Sequence, residues 1–90
     1  MKRIHMWVSG IVQGVAFRYF ARKIARELEL TGWVKNLYNG KVEIVAEGEE
    51  WQLKKLVMDL QIGPPAATVT GVEVKEEEFK NEFDKFEVRF

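Results

Sequence analysis

The chain has 90 residues, 47% of them hydrophobic, with 14 basic and 14 acidic side chains, a formal net charge of zero and no cysteine. That balance suits one globular domain spanning residues 1–90, able to bury roughly 60 to 65% of the surface its unfolded chain exposes. It excludes a broad basic face for a polyanion, a disulfide framework, a thiolate nucleophile and a cysteine-based zinc site, and no apolar run approaches the ~18 residues of a membrane span.

Ile4 to Val12 suits a strand, with Ile4, Met6 and Val8 on one face and His5, Trp7 and Ser9 on the other. A glycine-bearing turn follows. Phe17, Phe20, Ala21, Ile24, Ala25 and Leu28 then fall at i, i+3, i+4, i+7, i+8 and i+11, the stripe of an amphipathic helix, for which Gly32 is the expected stop. Trp33 to Tyr38 and Lys41 to Glu47 read as two strands joined by Asn39-Gly40, a strong hairpin signal. Beyond Gly48, Glu49 and Glu50 favour the first turn of a helix carrying Leu53, Leu56, Val57 and Leu60, ended by Gly63, Pro64 and Pro65. Thr68 to Lys75 is a strand in which Gly71 marks a bulge, and a last short strand places Phe86, Val88 and Phe90 on one face. The order predicts an α+β fold of the ferredoxin-like, split βαβ type, with two helices on one face of a mostly antiparallel sheet of four to five strands.

Little of the chain suits catalysis: it has one His, two Asp and no Cys. His5, far from any second His, reads as an ordinary strand residue; Met6, Met58 and the three Trp read as core or sheet-face residues; Glu76 to Glu78 read as a solvated strand end. The first strand-to-helix turn, Ser9 to Arg18, stands apart. Its glycines let successive N–H groups turn inward ahead of a helix N-terminus, a cradle for a tetrahedral dianion, and Arg18 can place two donors on phosphoryl oxygens. On spacing alone an ordinary glycine-containing turn with a solvated arginine stands ahead of the anion site. A Walker A loop and a dinucleotide fingerprint are excluded, because no Gly-Lys-Ser/Thr follows and the glycine spacing is wrong.

Gly10, Val12, Gln13, Gly14, Val15, Phe17 and Arg18 resemble the acylphosphatase signature G-x-V-Q-G-V-x-F-R. Gly32, Trp33, Val34, Lys35, Asn36, Gly40, Val42 and Gly48 resemble the second signature of that family, G-W-V-x-N-x-x-x-G-x-V-x-x-x-x-x-G. The resemblance spans essentially the whole chain and implies hydrolysis of small acyl phosphates to carboxylate and phosphate, on a ferredoxin-like sandwich, with no metal and no cofactor. It implies that Arg18 binds the phosphoryl group, that Asn36 positions the attacking water, and that the N–H groups of Gln13, Gly14, Val15, Ala16 and Phe17 form the cradle. Phosphate or sulfate would be product-like ligands; no nucleic acid, membrane or obligatory protein partner is expected. Many relatives carry a hydroxyl residue after the asparagine where this chain has Leu37, so a hydrogen bond from that neighbour is not expected here.

An acyl phosphate brings a good leaving group, the anion of an acid with pKa near ~4, so no general acid is required. Positioning and charge stabilisation suffice for a loose, metaphosphate-like transition state. An amide cannot take the proton of the water, which points to a phosphate oxygen of the substrate as base. The carboxylate of Phe90 is a candidate to approach Arg18. Two other readings stand beside the enzyme: an RNA- or DNA-binding module on the same fold class, disfavoured by neutral charge, and a regulatory or maturation module of the kind found within larger proteins that handle carbamoyl phosphate. The Met1 to Ile4 start is too short and too polar for a signal peptide, making a cytoplasmic location the expectation, and the abundance of Glu and Lys over Asn and Gln matches heat-adapted proteins.

Overall fold

Alternation in the first ten residues builds β1 (Lys2–Ile11), which sends Ile4, Met6 and Val8 to one side of a sheet where all three are buried. The computed structural model describes every residue from Met1 to Phe90. After β1 come α1 (Phe17–Glu27), β2 (Thr31–Asn36), β3 (Val42–Gly48), α2 (Glu50–Ile62), β4 (Thr68–Glu77) and β5 (Phe86–Arg89). The five strands form one sheet in the order β4-β1-β3-β2-β5; every neighbouring pair is antiparallel except β2 and β5, which run parallel. Both helices cover the same face. Phe17, Ala21 and Ala25 of α1 and Leu53, Leu56 and Leu60 of α2 close over Met6, Val8, Val34, Ile44 and Phe86. This is the ferredoxin-like sandwich expected, with a fifth strand on one edge.

Several expectations are corrected in detail. The stop of α1 is Glu29 rather than Gly32: Glu29 adopts φ 60°, and the Leu30 N–H returns to the Ala25 carbonyl at 2.8 Å, drawing Leu30 into the core. Gly32 lies inside β2. At its φ of 142° a Cβ would sit 1.9 Å from the Val45 carbonyl oxygen, so glycine lets β2 lie close against β3. The β2–β3 hairpin is a three-residue loop: the Gly40 N–H bonds the Leu37 carbonyl at 3.2 Å, the Leu37 N–H bonds the Lys41 carbonyl at 2.9 Å, and Gly40 takes φ 89°. Asn39 contributes its side-chain oxygen, which accepts the Lys41 N–H at 3.0 Å. In β4 the bulge is at Thr70, beside Gly71: Ser9 faces Gly71 while Gly10 faces Val69. Trp51 and Met58 are exposed on the outer side of α2 instead of joining the core. Phe90 lies beyond the end of β5 and is 90% exposed.

The sheet face away from the helices carries paired charges. His5 sits between two carboxylates, with Nδ1 2.9 Å from Glu77 and Nε2 2.6 Å from Glu43, and its ring stacks on Trp7 at 4.0 Å. Arg3 reaches Glu77, Glu47 and Glu82. The buried Glu47 carboxylate accepts the N–H groups of Lys80 and Glu82 at 2.8 and 3.3 Å, pinning the crossover that runs from β4 at one edge to β5 at the other. The Glu76–Glu78 run is therefore only partly solvated: Glu77 is drawn onto the sheet by His5 and Arg3 because β4 lies beside β1.

Two outcomes are expected. Gly32→Ala, clashing with backbone, lowers unfolding free energy by about 2–4 kcal/mol in denaturant titration. The hydrogen bond to His5, aided by the nearby charges of His5, Arg3 and Lys75, holds the Glu77 carboxyl below its ordinary value of 4.5. A lowered carboxyl pKa stabilises the fold above the unfolded-state value and loses that contribution as pH falls through the folded-state value. The stability gap between the parent and Glu77→Gln, read from denaturant midpoints, should therefore be full at neutral pH and shrink as pH drops below 4.5.

Candidate active site

The loop joining β1 to α1 is anchored through side chains and leaves its backbone donors unused. Val12 and Phe17 at its two ends are each 1% exposed, and Val15 packs against the core between them. The Gln13 amide leaves the loop: Nε2 donates to the Leu37 carbonyl at 2.7 Å and to the Lys41 carbonyl at 2.9 Å, tying the loop to the β2–β3 hairpin. No protein acceptor takes the N–H of Gln13, Gly14, Val15 or Ala16, and Phe17 opens a helix whose first N–H groups have no intrahelical partner. Gly14 (φ 74°) and Ala16 (φ 62°, ψ 23°) both lie in the left-handed region. Residues alternating about that region turn their N–H groups to a common side, the geometry of an anion-binding nest. For Ala16 this backbone is uncommon, and such outliers gather at functional sites. No acidic residue lies in the first turn of α1 to compete with an anion for the helix terminus.

Arg18 and Asn36 meet in one cleft of about 150 Å³, lined also by Val12, Gly14, Ala16, Phe17 and Tyr19. Arg18 comes from the first turn of α1; its Nη1 donates to the Arg89 carbonyl at 3.2 Å and its guanidinium lies 4.5 Å from the centre of the Phe90 ring. The ring of Phe90, together with the carbonyl of the residue before it, is thus what reaches Arg18. Asn36 ends β2, and its Oδ1 is buried with no hydrogen-bond partner. A buried amide oxygen left unpaired costs on the order of 1–3 kcal/mol, and such an orphan in a residue that lines a cleft calls for a partner such as a water or ligand. Leu37 cannot supply the missing donor through its side chain, while its backbone N–H and C=O are committed to Lys41, Gly40 and Gln13.

No carboxylate, imidazole or thiol lines this cleft. The second opening beside it, about 500 Å³ between Gln13, Lys35, Asn36, Leu37, Tyr38 and Phe90, has no carboxylate, imidazole or thiol side chain either. The combination of an unpaired amide, an arginine and a backbone nest describes an anion site without acid–base side chains. The acylphosphatase family model matches residues 4–88, nearly the whole chain.

The chain belongs to the acylphosphatase family.

It is accordingly a hydrolase acting on acid anhydrides, and acyl phosphate hydrolysis is the reaction its family supports. The chain is 52% identical to an acylphosphatase of Archaeoglobus fulgidus, with all of both chains covered. Among solved structures, the acylphosphatase of Bacillus subtilis superimposes with a TM-score of 0.96 at 39% identity, again over all of both chains. An acylphosphatase from Coxiella burnetii superimposes at 0.93 with 49% identity, covering 98% of this chain and 92% of that one.

Of the residues expected from the sequence, Gly14, Ala16, Phe17, Arg18 and Asn36 line one cleft, while Gln13 and Val15 do not line it and their side chains serve structural tasks. Sequence reasoning missed Tyr19, the Arg89 carbonyl and the Phe90 ring. Tyr19 could have been found by position, since it follows Arg18 on the helix; the β5 contacts had no local signal. No helix of this acylphosphatase-family chain is long and apolar enough to cross a membrane.

Gln13→Leu removes two hydrogen bonds to carbonyls that keep one other donor each. Chemical denaturation should show a loss of about 1–2 kcal/mol, and amide exchange at Leu37 and Gly40 should accelerate.

Proposed function

We propose that this protein hydrolyses small acyl phosphates without a metal ion, with Arg18 holding the phosphoryl group and Asn36 placing the water. The observation that carries this reading is a single cleft lined by Gly14, Ala16 and Phe17 of the loop together with Arg18 and Asn36, where the N–H groups of Gly14 and Ala16 have no protein acceptor and Asn36 Oδ1 has no hydrogen-bond partner. The nest amides of Gln13 to Phe17 and the Arg18 guanidinium receive the phosphoryl oxygens, offering fixed donors where charge spreads in a loose transition state. Arg18 supplies the positive charge that a magnesium ion brings elsewhere. The cleft offers a divalent cation no carboxylate or imidazole ligand, a donor set that fits an anion rather than a hard metal.

Asn36 Oδ1 accepts one O–H of a water and turns the oxygen lone pair toward phosphorus. The water oxygen forms the new P–O bond as the P–O bond to the acyl group breaks, and that electron pair leaves on the carboxylate. The water proton passes to a phosphoryl oxygen, because no side chain lining the cleft is a base. The products are a carboxylate and inorganic phosphate. The leaving group needs no proton, being the anion of an acid with pKa near ~4.

Phosphate release from benzoyl phosphate in excess EDTA tests the reading: turnover should match the chelator-free rate. Arg18→Gln should lower kcat/KM by ~10³ or more, the scale of an arginine aimed at a transferring phosphoryl group. Asn36→Ala should lower kcat about 10²-fold with little change in KM, since it displaces only the nucleophile. Wild-type turnover in the Arg18 variant would remove that residue from the mechanism.

A further inference from the structure

We infer that Tyr19 and Arg22 form the subsite for the acyl group, with the Tyr19 ring as its platform and the Arg22 guanidinium facing the carboxylate that departs. This rests on the assignment of Asn36 to the water. In-line displacement places the leaving group on the side of phosphorus opposite the nucleophile. Asn36 belongs to the sheet, so the acyl group must leave on the side away from it.

Helical geometry decides what lies there. Residues on a helix advance about 100° each, so Tyr19 points about 200° round from Phe17. Phe17 is buried against the sheet at 1% exposure, which turns Tyr19 toward solvent, where it is 48% exposed. Both residues nonetheless border the cleft that holds Arg18 and Asn36. Tyr19 thus borders the cleft from the solvent side of α1 while Asn36 borders it from the sheet, and aromatic side chains are favourable surfaces for planar or apolar groups.

Arg22 adds the charge. Its guanidinium lies 5.1 Å from the centre of the Tyr19 ring, and it is one helical turn beyond Arg18. The arginines on either side of it along the helix are tethered to β5, Arg18 to the Arg89 carbonyl and Arg26 to the Phe86 carbonyl at 3.1 Å. Arg22 makes no ion pair and no side-chain hydrogen bond. A half-buried cation without a carboxylate partner, resting on the ring of a residue that lines the anion site, is free to meet a carboxylate as negative charge builds on it. The substrates this favours have a flat or apolar acyl group rather than a short one.

The test compares benzoyl phosphate with acetyl phosphate, and then a series of ring-substituted benzoyl phosphates spanning leaving-group acidity. Tyr19→Ala should lower the benzoyl-to-acetyl ratio of kcat/KM about three- to tenfold, and Tyr19→Phe should retain it. Arg22→Gln should steepen the dependence of log kcat/KM on the pKa of the departing acid, with Arg22→Lys between the two; loss of packing alone would not alter that slope. An unchanged ratio in Tyr19→Ala overturns the subsite, as does an unchanged slope in Arg22→Gln. Acetyl phosphate turnover by the wild type, lost in Arg18→Gln, separately checks the reading on which the subsite rests. Circular dichroism and thermal melts of each variant establish that the fold is intact before kinetics are compared.

Discussion

The geometry of the cleft depends on how the β1–α1 loop is held: its side chains bind it to the protein while its main-chain donors remain unbonded. Val12 and Phe17 bury the two ends, and the Gln13 amide bridges to two carbonyls of the β2–β3 hairpin. With these fixed, Gly14 and Ala16 can keep left-handed conformations that a loose loop would abandon. Donors held in advance need no rearrangement when charge develops near them, which is what makes fixed amides effective in stabilising a transition state. The Gln13 bridge also couples the two halves of the site, since the hairpin it grips begins directly after Asn36.

Charge is sorted between the two faces of the sheet. On the outer face Arg3 and His5 pair with Glu43, Glu47 and Glu77, and each tryptophan there has a partner: Trp7 stacks with His5, and Trp33 lies beneath Lys35 and Arg89. The openings near Arg18 are lined by cations and by no carboxylate side chain. A net charge of zero over the chain therefore conceals a local positive field where an anion would bind.

The fifth strand links architecture to site. By pairing parallel to β2 it brings Arg89 and Phe90 beside the start of α1, where a carbonyl and a ring hold the Arg18 side chain. Arg26 makes the same kind of bond to the Phe86 carbonyl, so one helix reaches β5 with two guanidinium donors. An edge strand whose polar groups are occupied in this way is less open to pairing with another chain. Arg22, between the two, is left for another task.

Periodicity, two glycine-bearing motifs and the order of elements were enough to read the α+β sandwich and to nominate Arg18 and Asn36, because alternation and helical stripes are local and the motifs are contiguous. Boundaries governed by packing were not legible: Glu29 rather than a glycine ends α1 because Leu30 must enter the core, and Glu77 leaves solvent because β4 lies beside β1. Nor could the chain alone show that the Gln13 side chain is spent on the hairpin, that Asn36 Oδ1 lacks a partner, or that Tyr19 and Asn36 line the same cleft. These depend on contacts between residues far apart in sequence. Such contacts exist only once β1, β2 and α1 are packed together, so tertiary structure decided them while sequence determined the elements and the chemistry they carry.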